Sequence, residues 1–266
     1  MVEHWLQELI ALSEWFPDDC WPSPPCSKCK VGELRPRVVY PIEAVASREA
    51  FNHPDWDPEW TFGTFHGELR CNRENCHEAT VVVGDMCVAM TGDPLSKSYE
   101  SYSTHLKCKD FIPSLPLTSL PDTCPPIIVE RLSDASAILY RDPSSAGNRV
   151  RVAIEELLTI QRVRRFPPGK RKNKDRLTTH QRIEEFKKVK PDVAAILMAV
   201  KWIGNSGSHE SGLRITDVLD GVRLLTHAVE LLYDKRHIEL KRLADQINRQ
   251  KGLPRPRKKR GTQVPF

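Results

Sequence analysis

Two groups of residues in this 266-residue chain have types and spacings that could do chemistry. The first is a set of thiols. Cys26-Ser27-Lys28-Cys29, followed by Gly32, is a tight pair of the kind that turns around a metal ion with nearby backbone amides converging on the sulfurs. Cys71 and Cys76 form a second pair, and the residues between the pairs read as strands, which would fold the two turns onto one another. Four sulfurs in a tetrahedron suit Zn²⁺ and leave no open coordination position, so a structural zinc held by Cys26, Cys29, Cys71 and Cys76 is expected. The second pair is more widely spaced than is usual, which leaves His77 or Cys20 as an alternative for one ligand. Cys87, Cys108 and Cys124 read as core or surface thiols.

The second group lies at Lys201-Trp202-Ile203-Gly204-Asn205-Ser206-Gly207-Ser208-His209, where an apolar helical run ends and an Asn and a His arrive together. A His that follows a Gly-Asn pair and small residues has room to meet a ligand, and its ordinary pKa lies near neutrality. If a site exists there, His209 is the acid or base, Asn205 orients it, and Lys201, Arg149 or Arg151 holds a phosphate. The alternative is a capped helix end with a surface histidine.

Charge and cysteine usage divide the chain at the same place. Residues 1–125 carry 10 Lys and Arg against 19 Asp and Glu, a net −9, whereas residues 126–266 carry 30 against 16, a net +14. All eight cysteines lie in the acidic half, and no basic-then-apolar leader opens the chain, so reduced thiols in a cytoplasmic protein are expected rather than a secreted disulfide scaffold. The basic half calls for a polyanion. RNA or DNA is preferred to a membrane because no basic helix in the sequence also shows a strong exposed apolar face.

The elements that must position these residues follow from periodicity. Trp5, Leu6, Leu9, Leu12 and Phe16 share a helical face, and strands are expected over 34–40, 60–70 and 79–90 as a small antiparallel sheet. Residues 91–126, rich in Ser, Pro and Thr, read as a connector. Beyond Pro126 the period becomes helical: Ile128, Leu132, Ala135 and Leu139, then Ala146, Val150, Ala153, Leu157 and Ile160. A basic loop follows, with Arg162, Arg164, Arg165, Lys170, Arg171, Lys172, Lys174 and Arg176 around Pro167-Pro168-Gly169, and it fits phosphate-backbone binding without sequence readout. Thr178 with Gln181 makes a capping box, Pro191 opens the helix that ends at the Gly204–His209 segment, and one long helix runs from near Thr216 weakly towards Gln250. The fold class is therefore α+β. An N-terminal zinc-ribbon and β-rich module (1–125) precedes an all-α bundle (126–250) and a basic, disordered tail (251–266).

This order of helices, with Gly204, Asn205 and His209 and the Asn148–Glu155 segment, resembles the branch of the HEPN superfamily catalogued as domain of unknown function 4145, over roughly residues 125–236. The resemblance implies a helical bundle that pairs into a homodimer, often behind an N-terminal zinc ribbon, and it implies company with other proteins of prokaryotic defence systems. Active HEPN members are metal-independent ribonucleases with a paired Arg and His. This sequence departs from that pattern, since the nearest cation before His209 is Lys201, with seven residues between, and an ammonium cannot grip phosphate through two parallel hydrogen bonds. The expected function is that of a nucleic-acid- or partner-binding adaptor or sensor in such a system. A metal-independent endoribonuclease using His209, and a structural subunit of a larger complex, are the alternatives.

Overall fold

The computed structural model describes residues 2–91, 101–167, 176–206 and 212–252. His209, the loop cations Lys170, Arg171, Lys172 and Lys174, and the tail from residue 253 lie outside the described residues.

Helix α1 (Val2–Ala11) turns Trp5 and Leu9 inward, and Leu12 and Phe16 continue the same apolar face. Strand β1 (Phe16–Pro17) then pairs with the far edge of an antiparallel meander: β2 (Leu34–Glu43), β3 (Phe62–Cys71), β4 (Ala79–Thr91) and β5 (Ser101–Ile112). The sheet order is β1-β5-β4-β3-β2. Period-2 alternation decides its faces, with Phe65, Leu69, Val82, Met86, Leu106 and Phe111 turned to the core. The short helix α2 (Val45–Ala50) and a 3₁₀ turn at Pro58–Trp60 cross between β2 and β3.

Strand β5 corrects the connector expected over 91–126. It pairs with β4 along its whole length, from Thr91↔Ser101 to Val81↔Ile112. Its Leu106 and Cys108 are buried while Ser, His and Lys alternate with them, so a polar composition concealed a regular strand.

The helical half comprises α3 (Pro126–Ile138), α4 (Pro143–Ile160), α5 (Thr179–Lys187), α6 (Pro191–Ser206), α7 (Ile215–Tyr233) and α8 (Lys235–Gln250). The expected caps are present: Thr178 and Gln181 form a reciprocal capping box on α5, and Pro191 opens α6. The single long final helix is replaced by two. Asp234 takes an extended conformation (φ −68°, ψ 114°), ends α7 and caps α8 by accepting from the Arg236 amide.

One apolar core runs through both halves. Leu9 of α1, Leu12 just beyond it, Phe111 of β5 and Ile128, Leu139 and Tyr140 of the helical half belong to the same buried cluster. The Tyr140 hydroxyl donates to the Leu9 carbonyl at 2.9 Å, and its ring lies 5.2 Å from that of Phe111. Among the described residues no helix is long and apolar enough to cross a membrane.

Candidate metal centre and basic helical face

Sheet register builds the thiol site. Leu34, the first residue of β2, is paired with Cys71, the last of β3, so the turn before β2 and the hairpin after β3 meet at one corner. In the first turn Cys26 donates its amide to the Gly32 carbonyl, and Lys30 adopts positive φ (54°) directly after Cys29. The second turn repeats the device: the Cys76 amide donates to Arg73, and His77 takes positive φ (50°) directly after Cys76. Gly32 is required by closeness, because a Cβ there would stand 2.5 Å from Cys71 Sγ.

The four sulfurs of Cys26, Cys29, Cys71 and Cys76 lie within 4.8 Å of one another, with Cys26–Cys76 and Cys29–Cys71 each at 3.7 Å. A disulfide requires about 2.05 Å, so these are free thiols. A tetrahedral ion with metal–sulfur bonds of about 2.3 Å separates its ligands by roughly 3.8 Å, close to the spacing of the two nearest pairs. His77 and Cys20 are both exposed, and among the described residues the group that could hold a metal comprises the four cysteines.

The site's electrostatics favour a bound cation. Burial opposes ionisation of Cys29, yet the amides of Val31 and Gly32 and the thiols of Cys71 and Cys76 outweigh it and hold the pKa down to about 6. Burial pushes Cys71 up to about 12 against the Arg73 amide, with the neighbouring thiols adding to the rise. A divalent ion would offset part of that mutual penalty, because its two positive charges would be shared among four thiolates. Around the sulfurs, Lys28 and Glu78 form an ion pair at 3.1 Å that ties the two turns together, and the Gly32 amide donates to Cys29 Sγ at 3.3 Å. Of the remaining thiols, Cys108 and Cys124 are buried, and Cys87 is half-buried on the sheet.

Of the second group of candidate residues, Lys201, Asn205, Arg149 and Arg151 are among the described residues, and α6 ends within the Gly204–His209 segment as expected. Helix α6 continues through Asn205 to Ser206, so Asn205 is a half-buried residue of its last turn. Lys201 is 8% exposed, and its Nζ rests 3.2 Å from the Trp202 ring centroid, a placement that withholds it from a solvent phosphate. Arg151 of α4 packs against Gly204, where a Cβ would meet Arg151 Cβ at 3.5 Å, and its Nε is buried with no partner among the described residues. Arg149 is exposed on α4.

The basic loop is anchored by a residue the sequence reading missed. Arg182, 1% exposed, donates to the Glu155 carbonyl (3.1 Å), Thr159 Oγ1 (3.0 Å) and the Val163 carbonyl (3.4 Å), and thereby caps the C-terminal end of α4. Burial lowers its pKa, with the charge of Arg165 acting in the same sense. The available signal was its position four residues before Phe186, on the buried face of α5. Two loop cations are already paired, Arg165 with Glu156 (3.9 Å) and Arg176 with Glu155 (3.6 Å), whereas Arg164 is exposed without an ion pair among the described residues.

Helix α8 adds cations that the sequence reading did not single out. Lys235, Arg242 and Arg249 recur every seven residues, so they form one row with steps of about 10.5 Å, and all three are exposed. Leu240 (58% exposed) and Leu243 (46%) lie on the other side of the same helix. A basic helix with exposed leucines is therefore present, contrary to the reading from sequence, so the absence of such a helix no longer separates nucleic acid from a membrane as the polyanion.

Residues 133–250 match the family model described as Domain of unknown function (DUF4145), and residues 14–111 match the one described as Domain of unknown function (DUF8608). The first match agrees with the resemblance to domain of unknown function 4145 carried by Gly204, Asn205, His209 and the Asn148–Glu155 segment. The second spans the thiol corner and the sheet up to Phe111. No curated protein matches the chain, and no solved structure does.

Proposed function

We propose that this chain is a zinc-stabilised, nucleic-acid-binding adaptor or sensor, working in the prokaryotic defence setting that the DUF4145 resemblance implies. The zinc is structural. Four thiolates fill a tetrahedral shell and leave no position for water or substrate, so the ion locks the two turns into a ribbon and supplies no catalysis.

The observation that carries the binding reading is the row Lys235–Arg242–Arg249 on α8, exposed and without ion pairs among the described residues. Arg149 of α4 and Arg164 are likewise exposed cations of the helical half, whose basic charge favours a polyphosphate backbone. Lys201, held under Trp202, weighs against the ribonuclease alternative, because that chemistry needs a cation free to reach the phosphate.

The test is fluorescence anisotropy with a 20-nucleotide RNA and the matching DNA duplex, from 50 to 300 mM salt. Binding should weaken steeply with salt. Changing Lys235, Arg242 and Arg249 to Gln should lower the logarithmic salt slope by about 2 to 3, since each lost phosphate contact contributes roughly 0.7 on single strands and 0.9 on duplex. An unchanged slope removes α8 from the interface. RNA cleavage in the presence of a chelator, abolished by His209→Ala, would instead establish the endoribonuclease.

A further inference from the structure

The acidic half carries a surface that the nucleic-acid reading does not use. On the outer face of the sheet Tyr40 is register-paired with His66, their rings 5.2 Å apart, and Ile42 is paired with Thr64 beside Phe62. The face continues off the end of β3 to Trp60, whose ring lies 5.4 Å from His53, and the same loop carries the Phe51–Trp56 ring pair at 4.9 Å. Tyr40, Ile42, Phe51, Trp60 and Phe62 are between 42% and 64% exposed. Large apolar side chains gathered at this exposure mark an interaction surface on a folded chain.

Charge decides what covers it. From Glu49 to Leu69 the chain has no Lys or Arg. Glu49, Asp55, Asp57 and Glu59 flank the aromatic residues in sequence, and none forms an ion pair among the described residues, although Asp57 caps the 3₁₀ turn and Glu59 accepts from the Met90 amide. Carboxylates beside ring faces repel phosphate and attract cations, and aromatic faces add a cation–π attraction strongest for guanidinium and ammonium groups. The free edge of the sheet is β2, but Pro36 and Pro41 remove donors from it, so a partner reads side chains on the face and does not extend the sheet.

We infer that this aromatic, acidic face is a docking surface for an arginine- and lysine-rich segment of a partner polypeptide. It is independent of the nucleic-acid reading, because its residues lie outside the helical half.

The test uses the full chain and a fluorescein-labelled nona-arginine peptide, read by anisotropy at several salt concentrations. Phe51→Ala with Trp60→Ala should weaken binding at least tenfold, and both positions are exposed enough for the fold to tolerate the change. Glu49→Gln with Asp55→Asn should weaken binding several-fold and flatten its salt dependence. RNA affinity should stay within twofold of wild type in both variants. Peptide binding that is absent, or unchanged in the aromatic variant, overturns the proposal. So does a parallel loss of RNA affinity, which would make the face a base-stacking platform. A tenfold gain in peptide affinity when Arg255, Arg257, Lys258, Lys259 and Arg260 become Gln would assign the face to the chain's own basic segment, and conversion of a dimer to a monomer by the aromatic variant would assign it to a second copy; either overturns the partner reading.

Discussion

Replacing Arg182 by Met tests whether a buried guanidinium holds the helical half together. The side chain is 1% exposed, and it ties α5 to the end of α4 through Glu155 O, Thr159 Oγ1 and Val163 O. Met keeps most of the apolar stem but donates nothing. The change removes three hydrogen bonds from a charged donor, each worth about 1.5–3 kcal/mol in mutational series. Against this stands the cost of burying the guanidinium, several kcal/mol, which the variant no longer incurs. Partial compensation remains for the orphaned acceptors, since Thr159 Oγ1 also receives Arg165 at 3.1 Å and Glu155 O also receives the Thr159 hydroxyl at 2.8 Å. The net expectation is a loss of about 2–4 kcal/mol, or a fall in Tm of roughly 5–15 °C for a chain of this size. Urea unfolding followed by circular dichroism measures the first quantity and calorimetry the second. Arg164→Met, at an exposed position, should stay within about 0.5 kcal/mol of wild type. An Arg182→Met protein equally close to wild type would show that burial cost cancels the three bonds, and the anchoring role would fall.

Native mass spectrometry should find one zinc per chain, lost in Cys26→Ser, whereas Cys87→Ser retains it; retention in the first variant would sink the four-thiolate site. Gly32→Ala should weaken zinc binding at least tenfold in a chelator competition, because the added methyl group would overlap Cys71 Sγ at 2.5 Å. Tyr140→Phe should cost about 1 kcal/mol at neutral pH through the lost bond to Leu9. Burial, reinforced by Cys108, raises the Tyr140 pKa well above its ordinary value near 10. Its folded-state pKa is the higher one, so its stabilising effect is complete below about pH 10 and is lost as pH rises beyond that. Urea midpoints at pH 7.5 and 10.5 should therefore diverge less in Tyr140→Phe than in wild type, and an equal divergence would refute the assignment.

The four-cysteine cluster was legible because paired thiols leave a short-range mark: Cys26 and Cys29 are close in sequence, and Cys71 and Cys76 lie at the turn of a hairpin whose strands alternate visibly. What brings the pairs together, the pairing of Leu34 with Cys71, is a matter of register that spacing does not encode. Strand β5 was hidden by composition, although Leu106 and Cys108 alternate with polar residues. A β-bulge between Val83 and Gly84 further disturbs the pattern, so that Phe111, not Asp110, turns inward. The seams of α3, α4 and α7 were readable from period alone, yet the stop at Asp234 was not, because the helical pattern resumes beyond it. Lys201 shows the limit most directly. Charge suggests exposure, and only the packing of α6 reveals a lysine withdrawn beneath an adjacent ring.

The core that runs from Leu9 through Phe111 to Tyr140 bears on how such a chain is inherited. The two matched segments, 14–111 and 133–250, are bookkept as separate units, but α1 lies outside both while its Leu9 is wholly enclosed between them. A recombination event that moved either segment alone would leave behind the helix that seals it, and would expose an oily seam on both products. The first dozen residues are therefore a shared keystone, and removing them would unseat both halves at once.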